Sequence, residues 1–175
     1  TQTISAGNSA TFGLFAFSLS SPVGTNTCTF GQKFVGSARV TANSSANDLV
    51  AIVNQTNFAN YGSSYNGFNL ASASSTVTMP LIMDRNAGYY TGFNVMNVGT
   101  SNTTVTCTFS NTTYTVNKTV AAGGALNDLQ LNKIADRYVG GGTCNASAGG
   151  SIVAVVNELG NSSTADLLFT YEGFN

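Results

Sequence analysis

Phe34-Val35-Gly36, Leu49-Val50-Ala51-Ile52-Val53-Asn54 and Tyr65-Asn66-Gly67-Phe68-Asn69 recur in the same order as Tyr138-Val139-Gly140, Ile152-Val153-Ala154-Val155-Val156-Asn157 and Tyr171-Glu172-Gly173-Phe174-Asn175. The offsets are 104, 103 and 106 residues, so only small insertions separate the copies. A repeat of this length is the size of one small domain. Shared β-rich composition makes two segments look alike, but three motifs kept in one order make chance a poor account. Thr3-Ile4-Ser5-Ala6-Gly7 parallels Thr119-Val120-Ala121-Ala122-Gly123 and extends each copy upstream, whereas residues 77–114 have no counterpart ahead of the first copy. The chain is therefore expected to begin within a repeat. The expected organisation is an incomplete N-terminal β-sandwich repeat over 1–69, a small-residue linker over 70–76, and a complete repeat over 77–175. An incomplete sandwich leaves an apolar face and unpaired strand edges that something must cover.

Composition narrows the class. In 175 residues only 7% are charged, the net charge is −1, 42% are apolar, and there is no His and no Trp. A typical domain carries about 25% charged residues, and a disordered chain has far fewer apolar ones. The reading is an uncharged, β-rich, extracellular surface protein. No basic patch offers itself to nucleic acid, and no apolar run approaches the roughly 18 residues of a membrane span. No signal peptide is evident, and Thr1 reads as a mature terminus or as the cut end of a longer chain.

Every segment that can be assigned is a strand. Residues 11–19 carry Phe12 and Leu14 on one face and Phe15, Phe17 and Leu19 on the other, so that strand needs cover on both sides. Pro22 and Gly24 end it. Residues 34–42 alternate as a half-buried strand, residues 49–53 are apolar on both faces as a central strand would be, and residues 54–64 read as a polar loop. Pro80 marks residues 77–83 as an edge strand, because proline cannot donate to a ladder. Residues 104–110 and 114–120 form the clearest hairpin. Residues 125–136 have room for one helical turn. The fold class is all-β, with Ig-like Greek-key sandwiches, one complete and one incomplete.

The run of elements Met79-Pro80-Leu81-Ile82-Met83, Tyr90-Thr91-Gly92-Phe93-Asn94-Val95-Met96-Asn97-Val98-Gly99, Val105-Thr106-Cys107-Thr108-Phe109, Thr119-Val120-Ala121-Ala122-Gly123, Tyr138-Val139-Gly140 and Val155-Val156-Asn157-Glu158 resembles one unit of the tandem β-sandwich repeats of large secreted and cell-surface bacterial proteins. The resemblance covers residues 77–175 fully and 3–69 in part. It implies a structural or adhesive role at the cell surface without a catalytic centre. With fewer than two units, the chain is closer to a subunit completed by its neighbour, similar to the donor-strand pilins.

Without His, the familiar Ser-His and Cys-His nucleophile systems and histidine metal sites are excluded. The seven carboxylates are Asp48, Asp84, Asp128, Asp136, Glu158, Asp166 and Glu172; a glycosidase-like pair can be drawn from Glu158 and Glu172, but both read as lying in or beside exposed loops, and the solvated surface is the preferred reading. Asp84-x-Asn86-x-Gly88 has the oxygen spacing that opens a calcium loop but lacks the closing Glu, and a hairpin turn uses the same residues. An isopeptide bond from Lys118 or Lys133 to an Asn is chemically open, with the solvated lysine preferred. No cofactor and no metal are expected. Asn-x-Ser/Thr occurs at Asn43, Asn54, Asn102, Asn111, Asn117, Asn145 and Asn161, most of them beside turns where an acceptor for N-linked glycan is reachable. Cys107 shares parity with core-facing Val105 and Phe109, and Cys144 aligns near Val40, so Cys107–Cys144 is the first choice of disulfide. Cys28 remains able to displace either partner or to pair between chains.

The leading function is a structural subunit of an extracellular filament or surface coat. It would assemble with itself, head to tail, by strand donation through Phe12, Leu14, Phe15, Phe17 and Leu19. The alternative is a monomeric adhesin or carbohydrate-binding module using Tyr61, Tyr65, Tyr89 and Tyr90, against which the lack of Trp counts. An enzyme is not expected.

Overall fold

The computed structural model describes residues 3–12, 36–43, 48–56, 62–147, 149–160 and 167–175. Cys28, Leu14, Phe15, Phe17, Leu19, Tyr61 and Asn161 lie outside the described residues. The chain divides into two compact units, Thr1–Val35 and Gly36–Asn175. In the first, residues 3–12 contain a turn closed by the Asn8 N–H donating to Ser5 O at 3.0 Å, and Phe12 is exposed.

The second unit is all-β and antiparallel. Its strands are β1 (Ile52–Thr56), β2 (Gly62–Asn66), β3 (Thr76–Asp84), β4 (Tyr89–Asn97), β5 (Thr103–Phe109), β6 (Thr115–Val120), β7 (Ala125–Leu129), β8 (Tyr138–Ala146), β9 (Ile152–Gly160) and β10 (Leu168–Glu172). They form a β1-β2 hairpin and two four-stranded sheets, ordered β10-β9-β4-β7 and β3-β8-β5-β6. Period-two alternation turns one face of each large sheet inward. Phe93, Val95, Leu126, Ile152, Ala154 and Val156 meet Val77, Met79, Ile82, Val105, Cys107 and Phe109 in a single core of sandwich-like layers. Burying each of the Val, Leu, Ile, Met and Phe side chains contributes about 1.5–3 kcal/mol. Among the described residues no helix is long and apolar enough to cross a membrane.

Cys107 and Cys144 face each other across β5 and β8 and are disulfide bonded, with Cα atoms 3.9 Å apart. That is closer than the roughly 4.4 Å lower end of the usual range. β3 is the edge strand of its sheet, and its register shifts between Met79 and Ile82, where Pro80 has no N–H to give. At the β3–β4 turn Arg85, Ala87 and Gly88 take positive φ, and the chain crosses from one sheet to the other. Asp84, fully buried, fastens that turn. Its carboxylate accepts the backbone N–H groups of Asn132, Lys133 and Ile134 at 3.0, 2.9 and 2.8 Å, and Arg85 Nε at 3.0 Å.

Local structure departs from the expectations in several segments. Residues 125–136 hold no helical turn: Leu126 and Asp128 alternate with Asn127 and pair with β4 as strand β7, followed by turns. Residues 54–64 are not all loop, because β1 runs to Thr56 and β2 begins at Gly62. Residues 36–42 form no strand, and Val40 is exposed. Residues 70–76 lie inside the second unit as a short 3-10 turn, Leu70–Ser72, leading to β3; Asn69 Oδ1 caps it by accepting from Ala71 N.

The two hairpins β1-β2 and β9-β10 share one register. Val53 faces Tyr65 as Val156 faces Tyr171, and Asn54 faces Ser64 as Asn157 faces Thr170. Beyond the strands, Gly67 N donates to Ala51 O at 2.7 Å and Gly173 N to Ala154 O at 2.9 Å. Both glycines are needed for the close approach: a Cβ on Gly67 would meet Ala51 Cβ at 2.9 Å and one on Gly173 would meet Ala154 Cβ at 3.1 Å. The motif offset grows from 103 to 106 residues inside the hairpin loop, so the insertion falls where a strand pair tolerates it. Burial separates them, since Val156 is sealed in the core and Val53 is 36% exposed.

Candidate functional site

Two features stand apart from ordinary sandwich packing. The first is the outer edge of β1. Gly67 N bonding to Ala51 O makes Ala51, Val53 and Gln55 the residues that bond to β2, which turns the N–H groups of Ile52 and Asn54 toward the opposite edge. In β9 the same alternation turns Val153, Val155 and Asn157 toward β4, whose Met96, Asn94 and Gly92 face them. Among the described residues no strand occupies the corresponding edge of β1. Apolar side chains crowd that segment in the open, with Val50 98% and Ile52 69% exposed. Asn66 N, which points away from β1, donates to Glu172 Oε1 at 2.8 Å and ties the hairpin to β10.

The second feature is buried. Thr91 on β4 faces Glu158 on β9, and on its other side Gln130, just past β7, donates its N–H to Thr91 O at 2.8 Å. All three side chains point inward; Thr91 and Gln130 are fully buried and Glu158 nearly so. Thr91 Oγ1 donates to Glu158 Oε2 at 2.7 Å while accepting the Met83 N–H at 2.7 Å. Gln130 Nε2 donates to Asp128 Oδ2 at 2.6 Å; Asp128 also accepts the Tyr114 hydroxyl and pairs with Lys133. Two buried oxygens have no partner among the described residues, Gln130 Oε1 and Glu158 Oε1. Such groups are rare and costly. Glu158, expected in or beside an exposed loop, lies on the core face of β9. The signal was present, since Ala154, Val156 and Glu158 share parity in one strand.

Burial pushes the Glu158 carboxyl up to about 7, the Thr91 hydroxyl pulling weakly the other way. The folded chain therefore retains a proton that the unfolded chain releases above the ordinary 4.5. The stability this proton confers is complete below that value and is lost as pH rises through about 7. At about 1.4 kcal/mol per pH unit between 4.5 and about 7, the loss is at most about 3–4 kcal/mol. Urea unfolding from pH 4.5 to 8 is expected to show that decline, and Glu158→Gln to flatten it. An unchanged slope in the variant assigns the decline to another group.

The remaining candidate residues are dispersed. Asn43, Asn54, Asn102, Asn111, Asn117 and Asn145 are all exposed. Asn117 and Asn145 flank Thr106 in one cross-strand row; Asn117 Nδ2 donates to Thr106 Oγ1, and Asn145 Oδ1 accepts from Thr76 Oγ1. Glu172 lies on β10, away from any pairing with Glu158. The Asp84 oxygens that the calcium-like spacing would present accept backbone N–H groups and Arg85 instead. Among the described residues no group of three or more His, Cys, Asp or Glu could hold a metal ion. Tyr89 packs on Phe169 with ring centroids 6.0 Å apart, Tyr90 is half-buried on β4, and Tyr65 is half-buried on β2 with burial, then the nearby Glu172 charge, raising its pKa. No protein-family model, no curated protein and no solved structure matches the chain.

Proposed function

We propose that the protein is a structural subunit of an extracellular filament or surface coat, built of Ig-like Greek-key units and polymerising head to tail by strand donation between copies. The observation that carries the reading is the shared register of the two hairpins. β9 is completed on its far edge by β4, while the matching edge of β1 offers outward N–H groups and exposed apolar side chains. An open, apolar edge is the template that strand addition uses. Covering these side chains contributes up to about 1.5–3 kcal/mol each. The strand that fits is specified by β4. Gly92-Phe93-x-Val95-Met96-Asn97-Val98 is matched in kind by Gly13-Leu14-x-Ala16-Phe17-Ser18-Leu19. By the β4–β9 register, Leu14 of a second copy would face Val53 and Ala16 would face Ala51. A donor from one copy and an acceptor on the next make a heterologous contact that propagates instead of closing. The disulfide, the low charge and the exposed glycan acceptors support an oxidising, extracellular setting.

The monomeric adhesin reading draws on the partly exposed Tyr89–Phe169 pair. Electron microscopy of the full chain and of a chain lacking residues 1–16 separates the two. Fibres from the first and none from the second are expected. Fibres from both would remove the N-terminal segment as donor, and a stable full-length monomer at high concentration would remove strand donation altogether.

A further inference from the structure

We propose that Thr91 and Gln130 form a site of autocatalytic cross-linking, in which the Thr91 hydroxyl attacks the Gln130 carboxamide with Glu158 as the proton carrier. The product is an ester between neighbouring strands. The inference is independent of filament assembly. It rests on a row of three buried polar side chains, Glu158 on β9, Thr91 on β4 and Gln130 just past β7. A threonine in the middle of an inward-facing strand usually satisfies its hydroxyl on nearby backbone. Here the oxygen does accept the Met83 N–H at 2.7 Å, which leaves the hydroxyl proton directed at Glu158 Oε2, 2.7 Å away. That is the nucleophile-and-base arrangement of acyl transfer. The acyl group is on the other side of the same residue, because Gln130 is hydrogen bonded through its backbone to Thr91 and its fully buried side chain shares the inward face. Directly facing residues on one side of a sheet have Cβ atoms about 4.5–5.5 Å apart, within reach of a Gln side chain.

The two unpartnered oxygens fit this chemistry. Gln130 Oε1 is the carbonyl oxygen on which charge develops, and Glu158 Oε1 is the second oxygen of the acid that shuttles the proton. The Gln130 amide nitrogen, the group that departs, is held by Asp128 Oδ2 at 2.6 Å. The step balances. The Thr91 Oγ–Gln130 Cδ bond forms as the hydroxyl proton passes to Glu158; the Cδ–Nε2 bond then breaks and the same proton goes to the departing nitrogen. One ammonia leaves, Glu158 ends as it began, and no oxidant or reductant is involved. Burial excludes the water that would hydrolyse the ester.

The test is the intact mass of the full chain made in a host without N-glycosylation and aged in the folded state. The expected mass is lower than the sequence mass, after allowing for the disulfide, by one ammonia. Proteolysis should yield peptides containing Thr91 and Gln130 joined together and separated by hydroxylamine, with the hydroxamate at Gln130. Thr91→Val and Glu158→Gln chains that still form the Cys107–Cys144 disulfide are expected to keep the full mass. A wild-type chain that retains its ammonia and yields no joined peptide overturns the proposal. So does a Thr91→Val chain that still loses ammonia, since the loss then comes from another amide.

Discussion

An Asn54→Pro chain is expected to fold as the wild type does and to form no filaments. The prediction separates the two edges of one strand. The N–H of Asn54 points away from β2, so removing it leaves the bonds of Ala51, Val53 and Gln55 to β2 in place. Proline is tolerated at such a position and blocks pairing there. Val53→Pro is the contrasting variant, since it removes a β1–β2 bond and should disrupt the hairpin itself. Thermal melting and electron microscopy of both chains check the claim: an unchanged melt with no fibres for Asn54→Pro, and a lowered melt for Val53→Pro. Fibres of normal length from Asn54→Pro would mean that the outer edge of β1 is not the acceptor.

Asp84→Ala is expected to destabilise the second unit by about 3–5 kcal/mol, the scale of breaking a buried ionic group away from its partners. Three backbone N–H groups of the 132–134 turn would lose their acceptor inside the protein, and Arg85 would keep only Asp136, at 3.6 Å. Asp84→Asn keeps one acceptor oxygen and should cost less. Burial alone would raise the Asp84 carboxyl, but the Ile134, Asn132 and Lys133 N–H groups and Arg85 outweigh it and hold the group below its ordinary 3.8. Its contribution is thus present above that value and is lost as pH falls through the lower folded value. Glu158 acts in the opposite sense over 4.5 to about 7. The summed contribution of these two groups is greatest at about pH 4–5, where the Asp84 carboxylate is charged and Glu158 is still protonated. Urea unfolding of Asp84→Ala should show the acid limb weakened; an acid limb identical to wild type would assign it to other carboxylates.

The strands over 76–120 and 138–160 were legible because inward and outward residues alternate cleanly, as in Val105, Cys107 and Phe109 against Thr104, Thr106 and Thr108. Two of the three recurring motifs fall in hairpins that the structure describes, β1-β2 and β9-β10. That these share one hairpin register, with Gly67 and Gly173 serving one close approach, appears only once the strands are paired. β7 was hidden because Ala125-Leu126-Asn127-Asp128-Leu129 has mediocre strand propensity and becomes a strand through β4, a case of packing overriding local preference. β2 was hidden for the same reason, Gly62-Ser63-Ser64 being a sequence that reads as loop. The row of Gln130, Thr91 and Glu158 was beyond sequence reasoning, because three polar residues separated by 39 and 28 positions share a face only through the strand order β9-β4-β7.

The most direct measurement of the central claim is a helical reconstruction of the native fibre at a resolution that traces strands. Strand donation predicts an added strand from a neighbouring subunit along β1, antiparallel to it, with residue 14 of the donor beside Val53. A fibre in which the outer edge of β1 is solvated, or is paired with a segment of its own chain, would contradict it.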